Sequence, residues 1–266
     1  PNDISAGPTK ALPQIKIWLE ELFKGVPKAK RIGILVGVPG PVSHRTGKVV
    51  SPPIMRGWDG VNIQEHFKNN FKVPVFLEND VNLMVIAEHR LIYPEIENLI
   101  FVKMSTGIGS GLIIDGRLYR GSQGSAGDIG HVQLDALKGL PCRCGHHDCV
   151  ESFSSGWALI EKLKSMGYKI QTVSDLVSLA RKGDSEVTRL LTEAASYIGH
   201  AIADAVNLLN DPNNFNLLIE FAIKNSKEIR NKILTDELDV NQKIKLLIDD
   251  TYTFNILIKC ILTQSL

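Results

Sequence analysis

The sequence predicts an α/β fold with a mixed sheet. Short, branched apolar runs alternate with segments whose apolar residues recur every three and four positions, the mark of strands alternating with amphipathic helices. Glycine and proline pairs stop these segments at regular intervals. The composition agrees: 266 residues at 44% hydrophobic and 22% charged provide a sizeable core, in one large domain or two lobes. A disordered chain would be poorer in apolar residues and carry more net charge.

Each element follows from local pattern. Leu12, Ile15, Leu19, Leu22 and Phe23 form a helical stripe over about Pro8–Lys24, ended by Gly25 and Pro27. Ile32–Val38 reads as a buried strand, stopped by Pro39-Gly40-Pro41. A helix over Val61–Phe71, a strand over Val73–Leu77 and a helix over Asp80–Arg90 follow. Leu99–Met104 is a strand, and the glycine-rich Thr106–Gly111 reads as a loop before a strand at Leu112–Ile114. Asp115-Gly116 makes a tight turn into Arg117–Tyr119. From Glu151 the pattern is helical, over Ser152–Met166, Ser174–Lys182 and Asp184–Leu209. A new strand block opens near Glu97, so we expect a small α/β lobe over 1–97 and a large lobe over 98–266 with a helical C-terminal region. No glycine follows Gly199, and beyond Asp211 the chain is rich in Ile, Leu, Lys and Asn.

Charge and cysteines narrow the class. Net charge is +1, so no basic surface marks this chain as a nucleic-acid or membrane binder. No apolar run spans a bilayer and no signal-peptide pattern opens the sequence. Three of the four cysteines, Cys142, Cys144 and Cys149, fall within eight positions, a metal-ligand spacing rather than a disulfide framework. A reducing, cytoplasmic setting is the expectation.

Four segments carry candidate chemistry. In Cys142-Arg143-Cys144-Gly145-His146-His147-Asp148-Cys149, soft thiolates suit structural zinc. His131 is the leading fourth ligand, with His146 and His147 as competitors. Glu78-Asn79-Asp80 joins a strand end to a helix start. There Asp80 reads equally as a helix cap or as a base taking a proton from a substrate hydroxyl. The Thr106–Gly111 stretch lets backbone N–H groups approach a phosphate, or forms a plain glycine hairpin. Gly121–His131 is a glycine-rich loop carrying Asp128 and His131, suited to closing over a small polar ligand. Glu151 stands two residues beyond Cys149. Carboxylates, an asparagine and a histidine together suit sugar hydroxyls.

Taken together, residues from about Ile32 to Pro212 resemble the ROK family of repressors, open reading frames and sugar kinases. The likeness rests on Gly37-Val38-Pro39-Gly40-Pro41-Val42, Glu78-Asn79-Asp80-Val81-Asn82, Thr106–Gly111, and Gly127-Asp128-Ile129-Gly130-His131 with the cysteine loop through Glu151. The resemblance implies an actin-like, ribonuclease-H-like pair of lobes with sugar between them. It implies Asp80 as the base in transfer from ATP, with Mg²⁺ on the phosphates. It implies sugar contacts from Gly40, Asn79, Asp80, Asp128, His131 and Glu151, and phosphate contacts from Thr106 and Gly107. It implies zinc on His131, Cys142, Cys144 and Cys149, and a homodimer.

The chain departs from that pattern in places. Asp128 stands where family kinases usually carry Glu, and Asp148 where the zinc loop usually has glycine. The Asp-x-Gly-Gly-Thr phosphate segment expected before the first helix is absent, as is a Gly-Gly nucleotide segment after Pro212. Composition leaves two readings of the tail open, further helices or a reading frame that departs from the family there. These departures, with the Ser51–Gly60 segment, favour the sugar-sensing effector domain of a transcriptional regulator over an ATP-dependent sugar kinase. DNA would then be reached only through a helix-turn-helix upstream of Pro1.

Overall fold

The structure is a computed structural model and describes residues 6–209 with two further strands, Phe215–Phe221 and Leu257–Ile261. Helix α1, Pro8–Phe23, starts with proline in its first turn, where the missing N–H costs nothing. Arg31 closes its far end, donating to the carbonyls of Phe23 and Val26 at 3.1 Å each and lying over the Phe23 ring at 4.7 Å. Strand β1, Ile34–Val38, is followed by two short antiparallel strands, β2 Val42–Ser43 and β3 Lys48–Val49. Helix α2, Ile63–Phe71, is capped by Asn62, whose side chain accepts from the Glu65 N–H at 2.9 Å. Strand β4, Val75–Asn79, pairs parallel with β1, aligning Val38 with Asn79. Trp58, Phe67, Ile63, Val42 and Val49 are fully buried between these elements.

Helix α3, Asp80–Leu91, leads to a five-stranded mixed sheet in the order β7-β6-β5-β8-β9. Its strands are β5 Asn98–Met104, β6 Ile108–Ile114, β7 Arg117–Tyr119, β8 Phe215–Phe221 and β9 Leu257–Ile261. Only β5 and β8 run parallel. Four helices accompany it: α4 Val150–Ser154, α5 Gly156–Ser165, α6 Val173–Arg181 and α7 Ser185–Leu208. Leu163, Leu176 and Leu190 form the centre of a second core.

Several expectations need correction. The glycine-rich stretch is not a loop before a strand: β6 begins at Ile108, so Gly109, Ser110 and Gly111 pair with Lys103, Val102 and Phe101. Glycine carries no hydrophobic signal, which hid the strand. The expected Ser152–Met166 helix is two helices, because Ser155 turns extended and caps α5 by accepting from the Ala158 N–H. The C-terminal region contains strands β8 and β9; the rest of the expected helical tail, with the site of the missing Gly-Gly segment, lies outside the described residues.

The chain forms two compact units, Pro1–Leu83 with Arg120–Ala126, and Met84–Tyr119 with Gly127–Leu266. The division falls inside α3 rather than near Glu97. At one end of the helix the Leu83 side chain packs on Gly37, and at the other the His89 ring lies 2.8 Å from the Ile96 carbonyl. The helix therefore belongs to both sequence neighbourhoods.

Candidate functional site

In the first unit the end of β4 organises three predicted residues. Asn79 caps α3, its side-chain oxygen accepting from the N–H groups of Val81 at 2.9 Å and Asn82 at 3.1 Å. Its amide donates to the Gly40 carbonyl at 3.1 Å, so Gly40 and Asn79 are brought together. A Cβ on Gly40 would press on Pro52, which explains glycine there. Because Asn79 takes the main capping role, Asp80 is not required for it. The Asp80 carboxylate accepts from the adjacent Val81 N–H at 3.0 Å and begins the helix, where the dipole favours an anion.

Behind this edge lies Glu78, named in its segment by the sequence but given no role of its own there. Glu78 is 4% exposed. One carboxylate oxygen accepts from the Asn79 N–H at 3.0 Å and the Asn82 amide at 2.9 Å, with His44 at 3.4 Å. The other accepts from the Arg120 guanidinium at 2.8 and 2.9 Å. Arg120 lies 42 positions away, so no local pattern could have flagged the pair.

In the second unit the remaining predicted residues converge on β6. Missing side chains at Gly127 and Gly130 let the Asp128–His131 turn press on the Ser110 and Ile108 carbonyls, where a Cβ would collide. These glycines therefore serve close packing. Glu151 is buried, with one oxygen accepting from the Ile108 N–H at 2.8 Å and the other from Arg143 at 3.1 Å. Gly107 sits directly over that carboxylate, while Thr106 is exposed at the hairpin tip. The Arg143 guanidinium also stacks 4.2 Å from the Trp157 ring centroid. Asp128 is exposed at its surface amid dense protein; that crowding pushes its carboxyl upward, His131 pulls it down, and Glu151 adds to the rise.

Four ligand atoms gather beside this cluster. The donor atoms of His131, Cys142, Cys144 and Cys149 all lie within 4.8 Å of one another. Cys144 and Cys149 sulfurs are 3.7 Å apart, as are the Cys142 sulfur and His131 Nδ1. A tetrahedral zinc–thiolate centre with bonds of about 2.3 Å has sulfurs about 3.8 Å apart, so the set fits such an ion. Burial pushes the Cys149 thiol far up, and the neighbouring sulfurs push it the same way. Cys142 is pushed upward by burial as well, whereas hydrogen bonds from His146 and the other two sulfurs draw Cys144 down, and a divalent cation would favour the thiolate form of all three. His146 lies 3.5 Å from the Cys144 sulfur but is outside the four-membered group, and so is His147. Asp148, with φ at 63°, accepts from the N–H groups of Gly139 and Leu140 and shapes the loop.

Asp80, Asn79 and Gly40 are therefore grouped in the first unit, and Asp128, His131, Glu151, Gly107 and the cysteines in the second. A cavity of about 360 Å³ lined by residues including Tyr197 and His200 contains none of them. Among the described residues no helix is long and apolar enough to cross a membrane.

Known proteins resemble this chain in sequence and fold. A putative xylose repressor from Caldicellulosiruptor sp. (strain Rt8B.4) is 30% identical over 217 residues, covering 76% of this chain and 54% of the relative. The chain thus spans about half the length of the curated relatives it matches. The crystal structure of the ROK hexokinase from Thermus thermophilus superposes with a TM-score of 0.65 at 29% identity, covering 80% of this chain and 70% of that one. A ROK family transcriptional regulator, a homologue of the E. coli MLC protein, superposes with a TM-score of 0.67 at 22% identity, covering 92% of this chain and 60% of that one, and shows the shared fold. The fold is the actin-like α/β class of these proteins. The ROK family profile matches residues 8–215, and the chain belongs to the ROK family.

Proposed function

We propose that this chain is the sugar-sensing effector region of a ROK transcriptional regulator. One observation carries the reading: the glycine hairpin already holds an anion of its own chain. The Ile108 N–H is given to Glu151, and Gly107 rests on the same carboxylate. A phosphate approaching that hairpin meets the Glu151 carboxylate beside it and finds the Ile108 N–H already taken. The likeness to a relative named as a xylose repressor points the same way and makes a pentose or hexose the ligand class.

In this reading Gly40, Asn79, Asp80, Asp128, His131 and Glu151 bind the sugar. Glu151 has acceptor sites left after its two hydrogen bonds, and Asn79 retains one amide N–H. A zinc ion on His131, Cys142, Cys144 and Cys149 braces the loop carrying Arg143, and His131 links that brace to the sugar residues. Such a closed site holds a loop and activates no water. The protein acts in the cytoplasm as a homodimer, and DNA is bound through a helix-turn-helix outside this chain.

A second reading, an ATP-dependent sugar kinase, is favoured by Asp80, whose capping duty Asn79 has taken, and by the hexokinase likeness. There Asp80 is the base, and Thr106 and Gly107 approach the phosphates with Mg²⁺. The test is thermal melting with D-xylose, D-glucose or N-acetylglucosamine, without nucleotide. A sensor melts higher with one of them and releases no ADP from ATP. Sugar-dependent ADP release that vanishes in Asp80→Asn establishes the kinase instead.

A further inference from the structure

The Arg120–Ala126 segment is separated from the rest of the first unit in sequence, yet belongs to it in space. Its ends close on each other: the Ala126 N–H donates to the Arg120 carbonyl at 3.1 Å, and Gly121, at φ 69°, packs on Ala126. In its middle Gly124, at φ 84°, lies so close to the Val42 carbonyl that a Cβ would stand 2.5 Å from that oxygen. The segment is thus a strap seated on β2. Its one charged anchor is the ion pair of Arg120 with the buried Glu78.

That anchor has an unusual place in the sequence. Glu78 immediately precedes Asn79 and Asp80, and the strap runs directly into Gly127 and Asp128. The pair therefore fixes the chain immediately before Asn79 and Asp80 and anchors the strap that precedes Gly127 and Asp128 in sequence. Glu78 is also fully committed, since Asn79, Asn82, His44 and Arg120 occupy both its oxygens. It has no capacity left for a ligand, so its work is positional.

We infer that Arg120 is a positioning residue: through Glu78 it latches the strap to the first unit and holds the proposed sugar-binding residues of that unit, Gly40, Asn79 and Asp80, in their binding-ready state. This rests on the sugar-sensor reading for its ligand, but not for the latch. A protein whose competent state is only one-tenth populated binds its ligand about tenfold more weakly. Loss of the latch acts in this way, without removing a ligand contact.

The test is hydrogen exchange of the full chain, with and without the sugar among D-xylose, D-glucose and N-acetylglucosamine that raises its melting temperature. Arg120→Met is expected to speed exchange of amides 121–126 by about tenfold or more, to leave β5 unchanged, and to raise the sugar Kd about tenfold. Arg120→Lys, which keeps the charge without the fork, should recover part of both effects. Should Arg120→Met fail to fold, the Glu78→Gln/Arg120→Met double variant leaves no buried charge and is read instead. Strap exchange equal to wild type overturns the latch. Faster exchange spread evenly over both units, or an unchanged Kd with a fast strap, overturns the positioning role. If no sugar stabilises the wild-type protein, the sensor reading fails, while exchange of the sugar-free protein still decides the latch.

Discussion

Two buried glutamates, one in each unit, are paired with arginine in opposite ways. Glu78 is enclosed by donors: a backbone N–H, an amide, His44 and the half-exposed Arg120. Glu151 has only the Ile108 N–H and Arg143, and Arg143 is itself held on Trp157. The first carboxylate is saturated and supports its neighbours. The second keeps acceptor capacity beside Asp128 and His131, which is what a ligand residue requires. The same residue pair thus makes a fastening in one place and, in the proposed function, a recognition element in the other.

The largest expected effect tests the brace behind Glu151. Chelating the metal should lower the melting temperature by on the order of 10 °C, because the Arg143 loop loses its closure. Calorimetry with and without a chelator checks this, and an unaltered melt removes the brace. Acid should act in the same direction, since thiolates and a neutral His131 hold the metal and protons compete for them. Loss of the metal should therefore grow as pH falls.

Next come the arginines. Arg143→Met strands Glu151 with one remaining donor and should cost about 3 kcal/mol, whereas Arg120→Met leaves Glu78 three polar neighbours and should cost about 1 kcal/mol. Urea unfolding compares them, and equal losses break the distinction. The glycines sharpen it further. Gly124→Ala meets a backbone carbonyl at positive φ, while Gly107→Ala meets only the Glu151 carboxylate at 2.8 Å. Stability should fall by about 2 kcal/mol for the first and about 1 for the second; Gly107→Ala should weaken sugar binding directly, by displacing the Glu151 carboxylate of the proposed site, and Gly124→Ala indirectly, by lifting the strap from β2. The smallest change is remote from both glutamates. Thr172→Ala breaks the capping box with Asp175 at the start of α6 and should cost about 0.5 kcal/mol with sugar affinity intact.

What was legible in the sequence was local. The helices over Pro8–Phe23 and Asp80–Leu91 follow the apolar stripe and the strand-to-helix junction, and the cysteine ligands stand within eight positions of one another. His131 was the leading fourth candidate from its Gly130-His131 setting, and the family resemblance implied it over His146 and His147. The Arg120–Glu78 and Arg143–Glu151 pairs were not legible, because an ion pair leaves no periodicity and its partners are fixed only by packing. Neither was the first half of β6, Ile108–Gly111, whose glycines give no alternation, nor the two-sided use of Asn79, since capping alone would have suited Asp80 as well. The strap's membership of the first unit depends on contacts far apart in sequence.

Asn79 has one consequence for how such a protein can change. Its oxygen starts a helix and its nitrogen holds the Gly40 turn, so a single amide joins fold to recognition. Aspartate there would keep the helix start, lose the turn, and set a third carboxylate between Glu78 and Asp80. In the proposed sugar site, a substitution at Asn79 should therefore disturb the helix start or the turn together with the ligand contact. Asp128 is the exposed member of the proposed set, so a change there should alter ligand preference with less harm to the fold.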